Sequence, residues 1–120
     1  MMQPWAWLFI NGILRIDDRT WSTAYRGRLW IHASKKVHEP FYAELKKNQE
    51  LALPPLTQLE QGGLIGYTDL TACLAPGEGD YPLGLRAHGG PGGHYGLMLE
   101  HPVKTPFEPI RGLPGIFKVR

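Results

Sequence analysis

The chain of 120 residues carries a formal net charge of +2, with 42% hydrophobic and 20% charged residues. This length suits one domain over residues 1–120, which at this size buries about two thirds of the surface of the unfolded chain. The hydrophobic fraction excludes a fully disordered chain. Because no apolar run approaches the roughly 20 residues of a membrane helix and no signal peptide is present, we expect an intracellular protein, cytoplasmic in a prokaryote, without membrane contact.

A single cysteine, Cys73, excludes an intrachain disulfide and a thiolate metal site within the chain. Its apolar surroundings in the sequence predict a buried structural thiol. His88 and His94 flank a glycine-rich run, but their spacing matches no defined metal site. The glycine motifs of nucleotide-binding folds and the G-x-S-x-G motif of hydrolases do not occur. The sequence therefore predicts no metal and no cofactor.

Charge and tryptophan are concentrated near the start of the chain. Residues 1–36 hold six basic side chains against two acidic ones, a net of +4, whereas residues 37–120 hold seven against nine, a net of −2. All four tryptophans also lie in the first segment: Trp5, Trp7, Trp21 and Trp30. A basic, aromatic segment is typical of a localised site for an anion or a nucleobase. The alternative is that the tryptophans belong to the core and the arginines to an ordinary surface.

The first predicted elements are a short helix and a strand. The helix begins at Pro4, has Trp5, Leu8 and Phe9 on one apolar face, and stops at Asn11-Gly12. We expect Trp5 to plug the core. The strand covers residues 13–19 and alternates, with Leu14 and Ile16 on one face and Arg15, Asp17 and Arg19 on the other.

The aspartate on the polar face of this strand has two possible roles. One carboxylate between two guanidiniums keeps its charge and fixes their orientation, so Asp17 with Arg15 and Arg19 is either a structural salt bridge or the floor of an anion site. The neighbouring Asp18 points to the opposite face of a regular strand. The two aspartates therefore do not form a paired-carboxylate site.

The clearest predicted strand runs from Arg28 to Ser34, after a loop over residues 20–27. Alternation gives it a plain core face of Leu29, Ile31 and Ala33, and a polar and aromatic face of Arg28, Trp30, His32 and Ser34. Lys35-Lys36 follows directly. At the end of a strand this pair could reach a phosphate, or it could be an ordinary solvated pair.

The remaining two thirds of the chain predict one more helix and several strands. In order they are a helix over Glu39–Leu51, a helical turn at 56–61, a strand over Gly63–Leu74 bent at Gly63 and Gly66, a loop over 75–93, a strand around Tyr95–Leu99, a proline-rich edge strand over Val103–Ile110, and a closing strand over Gly115–Val119 with Phe117 and Val119 inward. This pattern favours a mainly β fold with flanking helices (α+β), a small β-barrel closed by helical plugs.

The sequence is similar to the ASCH domain, a member of the PUA-like barrel superfamily, over nearly its whole length. The motifs that carry the similarity are Gln3-Pro4-Trp5-Ala6, Asn11-Gly12, Asp17-x-Arg19-x-Trp21, Tyr25-Arg26-Gly27, Leu29-x-Ile31-His32-Ala33-Ser34-Lys35-Lys36, Gly63-x-x-Gly66 with Asp69, Ile110-Arg111-Gly112 and Gly115-Ile116-Phe117. The run Arg26-Gly27-Arg28-Leu29-Trp30-Ile31 resembles the version that ends a eukaryotic transcription coactivator.

The resemblance implies a β-barrel with a helix-flanked cleft and RNA or DNA binding; some bacterial members are amidohydrolases acting on acetylated cytidine, and nuclease activity is reported for others. The cleft motif of the family, Gly-x-Lys-x-x-Glu-x-Arg, corresponds here to Gly12 through Arg19, with Asp17 for the glutamate and Leu14 for the lysine. That lysine is catalytic in the amidohydrolase members. Leucine has no proton to transfer, so the substitution weakens the amidohydrolase interpretation.

The first hypothesis is therefore a monomeric nucleic-acid-binding module, with RNA favoured over DNA as its ligand. Its binding site is a basic cleft between the first helix, the Gly12 turn and the 28–34 strand. The candidate binding residues are Arg15, Arg19, Trp21, Arg26, His32, Ser34, Lys35 and Lys36. One alternative is a hydrolase acting on a modified nucleoside or on RNA, with Asp17 as the catalytic acid–base candidate and Arg19 as the substrate clamp. Another is a protein-interaction module with an exposed apolar patch.

Overall fold

A computed structural model describes residues 1–19, 21–75 and 95–111, and the backbone of residues 116–118. Its helices are α1 (Trp5–Ile10) and α2 (Glu39–Lys46), with 3₁₀ turns at Gln49–Leu51 and Leu56–Gln58. Its strands are β1 (Ile16–Arg19), β2 (Gly27–Ala33), β3 (Gly63–Leu74), β4 (Tyr95–Pro109) and β5 (Ile116–Lys118). Residues 76–93 of the predicted loop, with His88 and His94, lie outside the described residues.

The strands form one antiparallel sheet in the order β1-β4-β3-β2-β5. The predicted mainly β fold with flanking helices is confirmed. The predicted closure into a barrel is not, because within the described residues β1 and β5 are the two edges of an open sheet. Each edge pairs on one side only, β1 with β4 and β5 with β2. The side chains of β5, including Phe117, and the whole of Val119 lie outside the described residues.

One long strand replaces two predicted ones. β4 pairs through Tyr95–Met98 with β1 on one side, and with β3 on the other from Gly96 to Pro109. The predicted edge strand over Val103–Ile110 is present as the second half of β4, not as a separate strand, because the left-handed backbone of His101 (φ 55°) and three register shifts let the strand continue past Pro102. From Val103 onward, β4 pairs with β3 alone among the described residues.

The helices end where local capping stops them. α1 closes at Asn11 and Gly12, whose φ of +72° suits glycine, as the sequence predicted. The N-cap residue of α2 is His38, whose Nδ1 accepts a hydrogen bond from the N–H of Phe41 at 3.1 Å. The helix ends at Lys46, not at Leu51, because the Asn48 side chain accepts from the Glu50 N–H and starts a separate 3₁₀ turn. The predicted turn near residues 56–61 is confirmed at Leu56–Gln58.

The core lies between α1 and the inner face of the sheet. Its residues are buried side chains of α1, of the segment into β1, and of β2, β3 and β4: Ala6, Leu8, Phe9, Ile10, Leu14, Leu29, Ile31, Ala33, Ile65, Leu70, Leu97 and Leu99. The predicted core face of β2 is therefore confirmed. Trp5 and Cys73 are half-buried and pack against this core, so the prediction of a buried thiol is confirmed in part. Trp5 stacks on Phe41 with ring centroids 4.7 Å apart and thereby holds α2.

Glycine allows α1 to lie directly on β3. A Cβ atom built on Gly66 would come within 2.5 Å of Ile10 Cδ1 and closer still to the carbonyl oxygen of Val103. The register of β3 against β4 also shifts between Leu64 and Gly66. The bend predicted from the glycines of this strand is confirmed, and it sets how closely α1 approaches the sheet.

Candidate nucleic-acid interface

The ordered charge pair of the basic segment is formed by Arg19 and Asp17. The Nε of Arg19 donates to Oδ2 of Asp17 at 2.7 Å, with 31% of the arginine side chain exposed and 2% of the aspartate. β1 positions both groups, because residues two apart on a strand lie on the same side. The buried carboxylate holds the guanidinium at the end of β1, and the exposed part of that group can bind an anion.

The other arginine predicted beside Asp17 lies elsewhere. Arg15 precedes β1, is exposed, and lines a groove of about 300 Å³ with Gly12 and the Leu99–Pro102 stretch of β4. Of the two arginines predicted beside Asp17, the structure forms a salt bridge with Arg19 and places Arg15 in this groove. The prediction that Asp18 points to the opposite face is compatible with its position, but both aspartates are buried.

The start of the chain runs beside the segment that follows β2. The Met1 amino group donates to the His32 carbonyl at 2.6 Å, and the Ser34 N–H donates to the Met1 carbonyl at 2.8 Å. Burial first, and then the nearby Arg19 cation, lower the pKa of this amino group to about 6, while Asp17 opposes the change. Arg19 and the backbone of Ser34 thus both lie near Met1.

Gln3 organises this region, and sequence analysis did not single it out as an organiser. Its Nε2 donates to the Glu60 carbonyl at 2.7 Å, and its Oε1 accepts from the Trp7 N–H at 3.0 Å. Its backbone pairs with Lys36 and His38. A glutamine just before a helix was the available signal, because its side-chain carbonyl oxygen can satisfy a free N–H of the first turn. Gln3 therefore fixes α1 against the lysine-bearing segment.

His32 is buried in the structure, not placed on an open polar face. The register of β2 against β3 shifts between Ile31 and His32, which interrupts the alternation predicted for β2. The ring Nε2 makes a short hydrogen bond with the Ile110 carbonyl, and Nδ1 has no hydrogen-bond partner among the described residues. His32 therefore ties β2 to the residue that follows β4, and its ring is not available at the surface.

The remaining predicted site residues are at or near the surface. Trp21 is 47% exposed, and Arg26, Lys35 and Lys36 are exposed as well. Arg26 Nη1 donates to two carbonyls of its own loop, those of Thr23 and Tyr25. Local backbone therefore orders the Arg26 guanidinium, as the carboxylate orders that of Arg19.

The lysine of the family motif is replaced here by an apolar residue. Leu14, which stands in its place, is buried in the core. The Gly12 turn faces β4 across the groove described above, and no residue of β2 lines that groove. A second groove of about 210 Å³ lies between α1 and the 54–60 segment. The cleft between the first helix, the Gly12 turn and the 28–34 strand stays a prediction.

An arginine–aromatic cluster on β2 and β3 was only partly foreseen. The guanidinium of Arg28 lies 3.9 Å from the ring centroid of Tyr67, and the ring of Trp30 is 5.2 Å from that of Tyr67. The sequence placed Arg28 and Trp30 on one face, but their partner on β3 follows from the strand pairing. Such a cluster stabilises the sheet surface through cation–π and aromatic contacts.

The described residues also bear on metal binding and on membrane spans. No three His, Cys, Asp or Glu side chains among them come together as a metal site. No helix in the described part of the chain has the length and apolar character needed to cross a bilayer.

The fold and site define a small, mainly β domain with one helix packed on its sheet and an arginine ordered by a buried aspartate. The family model of the ASCH domain matches residues 1–81. The chain belongs to the ASCH domain family, as its motifs indicated.

Two relatives contain a region similar to this chain. Activating signal cointegrator 1 of Mus musculus is 37% identical over 82 residues, which is 62% of this chain and 14% of the mouse protein. Activating signal cointegrator 1 of Homo sapiens is 36% identical over 80 residues, which is 61% of this chain and 13% of the human protein. The matched region is thus a small part of either relative.

Proposed function

We propose that this protein is an RNA-binding module whose contact surface is the basic N-terminal third. The observation that carries the proposal is the Arg19 guanidinium, held at 2.7 Å by a buried carboxylate and followed two residues later by exposed Trp21. An ordered arginine can bind phosphate through two nitrogens, and an exposed indole can stack on an unpaired base.

Further support comes from other exposed charges of the same sequence segment. Arg26, Lys35 and Lys36 are exposed in the segment with a net charge of +4. The Gln3 N–H donates to the Lys36 carbonyl and so holds Lys36 beside the start of the chain. The Met1 amino group there has its pKa lowered by burial and by the nearby Arg19 cation. Phosphate contacts of this kind position a strand, while stacking favours unpaired bases. Membership of the ASCH family agrees with this function.

A titration of short single-stranded and hairpin RNA at low salt tests the proposal. We expect Arg19→Lys to weaken binding several-fold, because lysine keeps the charge but loses the two-nitrogen contact. Lys35→Ala should weaken binding by a similar factor. The matched control is Lys47→Ala, which removes an exposed cation just after α2.

Arg19→Lys is preferred to Arg19→Ala because it leaves the buried Asp17 carboxylate with a cationic neighbour, so folding is retained. Circular dichroism verifies the fold of each variant. Failure of the wild-type protein to bind any RNA at low salt would contradict the proposal. Equal binding by the wild type, Arg19→Lys and Lys35→Ala would place the contact elsewhere and would also contradict it.

A further inference from the structure

The groove beside Gly12 has two walls from distant parts of the chain. Gly12 and Arg15 form one wall, and the stretch Leu99–Pro102 of β4 forms the other. The Leu99 N–H donates to the Arg15 carbonyl at 2.7 Å, which locks the two walls together. Its volume of about 300 Å³ is at the lower end of the range for pockets that hold a small organic molecule.

Two opposite charges line this groove without neutralising each other. The Arg15 guanidinium and the Glu100 carboxylate make no ion pair and no side-chain hydrogen bond among the described residues. Since unpaired charges on a concave surface are available to a ligand, the groove presents one anion-binding group and one pair of acceptor oxygens.

His101 is the third polar group of the groove, and its position is held from two directions. Its backbone is in the left-handed region, with φ 55°, which is uncommon for a residue other than glycine. Its Nδ1 lies 3.5 Å from Oδ2 of Asp69 on the neighbouring strand β3. Such constrained residues are frequent at binding sites, because the surrounding structure must stabilise them.

A ligand that matches these groups has an anionic group and a flat ring, and one edge of that ring presents two adjacent N–H donors. A guanine nucleotide has all three. Its phosphate suits Arg15, its ring can stack on an imidazole such as His101, and the N1–H and N2–H groups of guanine match the two oxygens of Glu100. Adenine and uracil do not present two such adjacent donors.

We propose that the groove of Gly12, Arg15, Glu100 and His101 binds a guanine nucleotide. This inference rests on the proposed RNA binding for the source of the nucleotide, but the groove is separate from the Asp17–Arg19 pair. Arg15 and Arg19 are four residues apart, which corresponds to about 13 Å along an extended chain. An RNA strand held at Arg19 could therefore place a guanine in the groove one or two nucleotides away.

The test compares the 5′-monophosphates of guanosine, inosine, adenosine, cytidine and uridine by calorimetry or by amide chemical shifts on the full chain. We expect guanosine monophosphate to bind best and inosine monophosphate about tenfold more weakly, because inosine lacks the N2 amino group. Glu100→Gln replaces one acceptor oxygen with a donor, so it should abolish the preference for guanosine over inosine. The matched control is Glu108→Gln on the same strand.

A parallel arm distinguishes a free nucleotide from one within RNA. A short single-stranded RNA with one guanine is compared with the same RNA carrying inosine there. If the inosine RNA binds more weakly, the groove reads guanine within RNA. If only the mononucleotide discriminates, the groove binds the free nucleotide. Either result supports the inference.

Other outcomes overturn the inference. Equal binding of guanosine and adenosine monophosphates, or unchanged discrimination by Glu100→Gln, would show that Glu100 does not read the base. RNA binding that depends on Arg19, together with mononucleotide binding that depends on neither guanine nor Glu100, would overturn the guanine site and leave the proposed function standing. Guanosine binding without any RNA binding would contradict the proposed function and leave the groove assignment standing.

Discussion

The Gln3 side chain joins three parts of the chain through buried hydrogen bonds. It satisfies the Trp7 N–H in the first turn of α1 and the Glu60 carbonyl before β3. Hydrogen bonds of buried groups add modestly to stability, but a buried partner left without one is costly. Loss of the Gln3 side chain is therefore costly mainly because it leaves the Trp7 N–H and the Glu60 carbonyl without hydrogen-bond partners.

We expect Gln3→Leu to lower the free energy of unfolding by about 2–4 kcal/mol, since it leaves one donor and one acceptor without partners. Urea denaturation measures the change. Gln58→Leu is the control, because Gln58 is exposed and its side chain makes no hydrogen bond in the described structure. A loss in Gln3→Leu no larger than in the control would show that Gln3 is not a structural tie.

At the scale of elements, the packing of α1 on β3 depends on one position without a side chain. Gly66 lies against Ile10 of α1 and against the backbone of β4. A methyl group there has no space, and the nearest obstacle is backbone, which cannot rotate away as a side chain does. Gly12 differs, because among the described residues a Cβ there would meet Pro102 alone, at 3.6 Å. The cost of adding a side chain at Gly12 is therefore set by its left-handed backbone, with φ +72°.

Gly66→Ala should therefore lower the free energy of unfolding by about 2–4 kcal/mol through displacement of α1 or β4. Gly12→Ala should cost about 1 kcal/mol, because only the left-handed backbone resists the added methyl group. Thermal and urea unfolding of the two variants give the comparison. A larger loss in Gly12→Ala would mean that the turn, and not the helix–sheet contact, limits the stability of this region.

At the scale of the whole molecule, the small net charge hides a separation of charge. The first 36 residues carry +4 and the rest −2, so we expect the proposed RNA binding to depend mainly on the first segment. A protein of this kind contacts few phosphates. Its affinity for RNA should be modest and should fall with salt along a shallow slope.

For a single strand that meets Arg19, Arg26, Lys35 and Lys36, the logarithm of the binding constant should fall against the logarithm of the salt concentration with a slope of about −3. Lys35→Ala should make this slope smaller by about 0.7, whereas the control Lys47→Ala should leave it unchanged. Titrations at several salt concentrations measure the slopes. A slope near zero would indicate binding without phosphate contacts.

The sequence by itself determined the family and most of the local elements, though not the end of α2 or the length of β4. The apolar pattern of α1, the core face of β2, the extent of β3 and its glycine bend follow from spacing and residue type, which act over a few residues. The salt bridge of Arg19 with Asp17 was also open to prediction, because both residues belong to one strand and stand two apart.

The tertiary structure alone decided which distant groups meet. The continuity of β4, the burial of His32 behind a bulge, the hydrogen bonds of Gln3, and the groove that joins Arg15 to Glu100 and His101 depend on strand register and on pairs of residues far apart in the sequence. Register is set by the sum of many long-range contacts, so a pattern read along one segment does not reveal it. The net charge of +2 follows from the sequence, whereas the position of each charged side chain is decided by the tertiary structure.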